Sequence, residues 1–143
     1  MKLYLGSDHA GFELKEEVYD YLKDEGFKVK DLGTKSDEST DYPEYAHKVA
    51  ESVAEDEDSL GILICGSANG VCMTANKHEM IRAAIAWEPE IAKLAREHNN
   101  ANVLCLPARF ISKKKAKKIL DSYLGAEFEG GRHQRRIDKI VIC

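Results

Sequence analysis

No stretch of this 143-residue sequence is apolar for long enough to cross a membrane. The amino end, MKLYLGSDHAGF, meets glycine and acidic residues before the apolar core of a signal peptide could form, so a cytoplasmic chain without a membrane partner is expected. Positive charge is not in excess either. Lys and Arg number 21 against 25 Asp and Glu, a formal charge of -4, and the one basic cluster is Lys113, Lys114, Lys115, Lys117 and Lys118. That balance argues against a nucleic-acid partner. The cysteines Cys65, Cys72, Cys105 and Cys143 form no CxxC pair and read as free thiols. The histidines His9, His47, His78, His98 and His133 form no HExxH or other close ligand pattern, so no metal is expected. GK[ST] and GxGxxG are missing as well, which disfavours nucleotide and dinucleotide sites. There is no internal repeat and no linker.

What is present is a composition of 43% hydrophobic and 32% charged residues, enough for one packed domain over residues 1–143 but too short for a barrel of eight βα units. Short apolar runs alternate with stretches of helical period. Leu3 to Gly6, Phe27 to Leu32, Leu60 to Cys65, Arg82 to Trp87 and Val103 to Leu106 read as strands. Between them, Phe12, Leu14, Val18, Tyr21 and Leu22 mark one helical stripe and Tyr45, Ala46, Val49, Ala50 and Val53 another. Gly66 to Gly70 leads into a helix, Pro89 opens one running towards His98, and Ser112 caps one through Leu124. Residues 33–43 read as a surface loop, and residues 125–143 as a tail that could reach a partner subunit. The alternation predicts an α/β fold, a three-layer α/β/α sandwich of Rossmann-like form around about five parallel strands.

In such sheets the ligand lies beyond the carboxyl ends of the strands. The candidates are then Ser7, Asp8 and His9 after the first strand, Cys65 to Gly70 after the third, and Arg109 beyond the fifth. Cys65-Gly66-Ser67-Ala68-Asn69-Gly70 sets a thiol at a strand end and backbone N–H groups at a helix amino end, which suits an anion. The same small residues also suit a plain tight turn. Cys65 reads either as an inert core thiol or as a thiolate favoured by the helix dipole, with Ser67 and the neighbouring amides facing an oxyanion. Asp8 and His98 each read as helix-end residues or as site residues, and His9 and His98 are expected on the same sheet edge as Cys65. Arg132 and Arg136, four apart on one helical face, form either a solvated patch or, with Arg109, a fork for phosphate.

SDHAGFELK, DYPEYA, CGSANG followed by TANK, IRAA, EHNNANVL and GGRHQRRI, in this order over practically the whole chain, resemble the type B ribose-5-phosphate isomerase family, which includes galactose-6-phosphate isomerase subunits. The resemblance implies a cofactor-free aldose–ketose isomerase of the pentose phosphate pathway, acting on a sugar phosphate as a homo-oligomer, a dimer or a dimer of dimers. It implies that Cys65 is the base moving a proton between C2 and C1, and that His98 assists ring opening with Asp8 close by. Gly66, Ser67, Ala68, Asn69 and Gly70 would hold the enediolate oxygens, and Asn99 the sugar. His9, Arg109, Arg132 and Arg136 would be phosphate or substrate ligands, the tail pair serving a neighbouring subunit. Two positions depart from the pattern. Ala68 stands where many members have glycine, and Val71 stands where one branch carries a glutamate base, which leaves Cys65 in that role. Cys72 is expected to be packing. The alternatives are a six-carbon sugar-phosphate isomerase, decided by pocket length, and a sugar-phosphate or nucleotide binding module without chemistry.

Overall fold

The structure, a computed structural model, describes residues 1–142, so Cys143 lies outside the described residues. The elements alternate along the chain: β1 (Lys2–Ser7), α1 (Phe12–Asp24), β2 (Lys28–Asp31), α2 (Tyr42–Glu55), β3 (Ser59–Cys65), α3 (Asn69–Ala75), β4 (Ala83–Ile85), α4 (Pro89–Glu97), β5 (Val103–Pro107), α5 (Lys113–Leu124) and α6 (Arg132–Asp138). The five strands are all parallel, in the order β2-β1-β3-β5-β4. This is the predicted α/β sandwich.

The unbroken apolar run of β3 follows from its place between β1 and β5, covered on both faces. Leu60, Ile62 and Ile64 join Leu3, Leu5, Leu104 and Leu106 against α1, α4 and α5. Leu63 and Cys65 join Val103 and Cys105 against α2 and α3. One sheet thus serves two cores. Among the described residues no helix is long and apolar enough to cross a membrane.

Polar groups pin the periphery. Lys15, in the first helix, is fully buried, and its ammonium meets Asp31 at 2.6 Å and Glu16 at 2.7 Å, tying α1 to β2. Ser112 caps α5 by accepting a 3.0 Å hydrogen bond from the Lys115 N–H. The lysine face of α5 is partly ion-paired, since Lys113 and Lys117 approach Glu17 and Lys115 reaches Glu88 at 2.9 Å. The tail contains a helix. In α6 the i, i+4 pair His133 and Ile137 turns inward and is buried, while Arg132 and Arg136 stay exposed.

Candidate active site

The chain leaves β1 towards β2 on one side and later returns as β3 on the other, so a crevice opens beyond the carboxyl ends of β1 and β3. The turn after β1 lies against β3: the Asp8 N–H donates to the Ile64 carbonyl at 3.3 Å, and a Cβ at Gly11 would sit 2.6 Å from that same oxygen. Glycine is required there. The buried Asp8 carboxylate accepts a 3.0 Å bond from the Gly11 N–H, so it braces the turn before α1 and does not cap the helix, whose N-cap is Gly11. Ser7 is buried, with its N–H on the Gly33 carbonyl. His9 is bonded twice to Thr40, through its backbone N–H and through Nδ1.

Cys65 ends β3 and is buried, 5% exposed. Its carbonyl accepts from the Ala108 N–H at 2.9 Å and that of Gly66 from the Arg109 N–H at 3.0 Å, which carries Arg109 over Gly66. Ala68, the N-cap of α3, is left-handed, with φ 69° and ψ -8°. Its conformation leaves Ser67 and Asn69 exposed on a cleft of about 550 Å³, walled also by Trp87, Phe110 and Lys115. The Tyr42 ring packs directly on Gly70. The structure therefore brings together Asp8, His9, Cys65, the loop from Gly66 to Gly70, and Arg109.

His98 and Asn99 are elsewhere, which corrects the expectation of a shared edge. A helix that follows a strand runs back, so its last residue reaches the amino edge of the sheet, and His98 is the C-cap of α4. Asn102 accepts at its carbonyl from the Gly61 N–H at 2.8 Å, near the start of β3, and the Arg82 Nε donates to the carbonyls of Asn99 (3.2 Å) and Asn100 (3.0 Å). The four steps of β5 from Val103 to Pro107, about 13 Å, separate that edge from the Cys65 edge. Arg132 and Arg136 share the His98 edge, because the Glu129 N–H donates to the Glu97 carbonyl at 2.9 Å just before α6.

There, the rings of His98 and His133 stack with centroids 4.2 Å apart and planes 12° from parallel. Each Nε2 lies near Glu129 Oε1, at 3.6 and 3.5 Å. His98, Glu129 and His133 are a set of three potential ligands. A metal must lie in the plane of each imidazole at about 2.0–2.1 Å. Two nearly parallel stacked rings offer no such point. Burial, then the neighbouring His98 and Arg132, push the His133 imidazole below its ordinary pKa.

Cys72 donates to the Ala83 carbonyl at 3.4 Å, and burial pushes the fully enclosed Cys105 thiol well above its ordinary range. Sequence reasoning passed over Thr40, Tyr42, Glu129 and His133. Tyr42 and His133 do fall inside the quoted DYPEYA and GGRHQRRI segments, while Thr40 and Glu129 carry no sequence signal.

With this geometry in hand, the relatives are informative. Residues 3–140 match the Ribose/Galactose Isomerase family. The chain is 50% identical over 141 residues to the probable ribose-5-phosphate isomerase B of Mycoplasma genitalium, covering 97% of this chain and 93% of that protein. Against the ribose-5-phosphate isomerase B of Escherichia coli K12 it is 48% identical, with 98% and 94% covered. The crystal structure of the Thermotoga maritima ribose 5-phosphate isomerase superposes with a TM-score of 0.95 at 51% identity, covering 97% and 96%. That of the Mycoplasma genitalium enzyme, with bound ribulose 5-phosphate, gives 0.94 at 50% identity, covering 97% and 93%. The chain belongs to the ribose/galactose isomerase family.

Proposed function

We propose that this chain interconverts ribose 5-phosphate and ribulose 5-phosphate through an enediolate, with Cys65 as the base. The observation that carries this is Cys65 itself, held at the end of β3 beside Asp8 and Arg109 and directly before the loop that starts α3. The ribulose 5-phosphate bound by the Mycoplasma genitalium relative supports the choice of substrate.

The Cys65 thiolate takes the proton from C2 of the open-chain aldose, the C1 carbonyl oxygen gains the charge, and the thiol returns the proton to C1 while the O2 proton passes to O1. Ser67 and the amides of the loop from Gly66 to Gly70 stabilise the developing oxyanions. His9 and Arg109 hold the phosphate, whose binding energy aligns C2 with the base.

His98 opens the sugar ring and Asn99 binds the sugar, with Asp8 alongside, but a single chain holds His98 and Cys65 at opposite sheet edges. The site is therefore composite. The amino edge of one copy, with His98, Asn99, Arg132 and Arg136, meets the carboxyl edge of another in a homodimer or a dimer of dimers. Exposed Trp87 and Phe110 beside the cleft, and exposed arginines on α6, suit that contact.

The test follows deuterium at C2 of labelled ribose 5-phosphate. A positioned base contributes about 10²- to 10⁴-fold, so Cys65→Ala and Cys65→Ser should lose that much exchange while remaining folded. Exchange near the parental rate would remove Cys65 from the role and point to Cys72.

A further inference from the structure

We propose that Thr40 is a positioning residue: it fixes His9 in the tautomer that presents Nε2–H to the substrate's phosphate. The inference rests on His9 being a phosphate ligand. Thr40 lies in the loop before α2, 31 residues from His9, and two hydrogen bonds join them. The His9 N–H donates to Thr40 Oγ1 at 3.1 Å, and the Thr40 N–H donates to His9 Nδ1 at 3.1 Å.

The second bond carries chemical information. A backbone amide can only donate, so Nδ1 is the acceptor nitrogen and holds no proton. In neutral imidazole the proton then sits on Nε2, the end of the ring with no partner among the described residues. The oxygens of a phosphate dianion accept and do not donate. The tautomer selected by Thr40 is thus the one that matches an anion, whereas the other would aim a lone pair at it. The first bond anchors the backbone at the root of the same ring, so Thr40 holds His9 at its main chain and at Nδ1.

Thr40 also sits two residues before Tyr42, whose ring covers Gly70 of the anion-facing loop. One surface segment therefore touches both the phosphate histidine and the loop that faces the reacting carbons. This loop is part of the site.

The test is a long-range ¹H–¹⁵N spectrum of the histidines near pH 8, with the His9 signals identified by their loss in His9→Ala. The parent should show the Nε2–H tautomer, and a dominant Nδ1–H tautomer would overturn the proposal whatever the variants do. Thr40→Pro removes both the amide donor and Oγ1; His9 should become a mixture of tautomers, and KM for ribose 5-phosphate should rise about 5- to 10-fold with kcat within about 3-fold, the effect of losing one hydrogen bond from Nε2 to the phosphate. Thr40→Ser keeps both bonds and should restore KM. If Thr40→Pro does not fold, Thr40→Val keeps the amide donor and loses only Oγ1, and it should retain the Nε2–H tautomer. Unchanged tautomer and KM in folded Thr40→Pro would sink the idea. A parental KM in His9→Ala would instead refute the phosphate role of His9, while the parent spectrum still judges the hold by Thr40.

Discussion

Ala68 bears a backbone cost that its position explains. At φ 69° it occupies a region that disfavours an L residue by about 1–2 kcal/mol, yet the turn from β3 into α3 demands it. Ala68→Gly should relieve that strain, and after the extra entropy of glycine the net gain is about 0.5–1 kcal/mol, read as a higher urea midpoint. An unchanged or lower midpoint would show that the alanine is unstrained. Arg136 is a second residue with a specific expectation. Losing a charged contact to phosphate should lower kcat/KM by about 2–4 kcal/mol in Arg136→Ala, and lysine should rescue only part, because the bidentate fork is gone. If Arg136→Ala used ribose 5-phosphate like the parent, the phosphate role would be withdrawn. At His133 the expectation concerns pH. Its folded pKa lies below the unfolded value, so the unfolded chain binds the proton more readily, and the stability it contributes is present above about pH 6.5 and lost as pH falls below it. Urea midpoints at pH 7.5 and 5.5 should therefore diverge more for the parent than for His133→Gln.

At the level of elements, the contact between α1 and β2 rests on a buried charge. Removing one partner of a buried pair costs about 3–5 kcal/mol when it strands the other. Because Lys15 keeps Glu16 at 2.7 Å, Asp31→Asn should destabilise by less than that, while Lys15→Met combined with Asp31→Leu should recover much of the loss. Equal urea midpoints for Asp31→Asn and the parent would refute this. Nothing in the sequence marked Lys15, because a lysine in a helical stretch reads as surface. Other elements were plain from residue pattern alone. The run Leu60 to Cys65 fits an interior strand, Pro89 and Ser112 mark helix starts, and CGSANG reads as a turn at a strand end. The short α6 was legible only as a helical face carrying Arg132 and Arg136 within a tail, without bounds, because its seven residues carry too little apolar periodicity. The edge assigned to His98 was wrong for a different reason: proximity in a motif says nothing of direction, and a residue at the far end of a helix is carried back across the sheet. Thr40 was out of reach because two hydrogen bonds across 31 residues are made by loop shape, which no local pattern encodes.

For the molecule as a whole, the separation of the two residue groups makes a quantitative demand. Cys65→Ala and Arg132→Ala chains should each be inactive, yet a mixed dimer would carry one site with both defects and one with neither. Random exchange gives half mixed dimers, so activity should recover to about a quarter of the parental value, and no recovery in verified hybrids would count against a shared site. The same separation reaches into kinetics. With Cys65 and His98 on opposite margins of one sheet, the proposed composite site would make a chain alone not a slow isomerase but an incomplete one. Dilution below the dissociation constant of the dimer should make specific activity fall with total protein, by mass action, with no chain unfolding. Freshly made polypeptide would stay silent until it met another copy, so catalytic onset would track the square of its concentration.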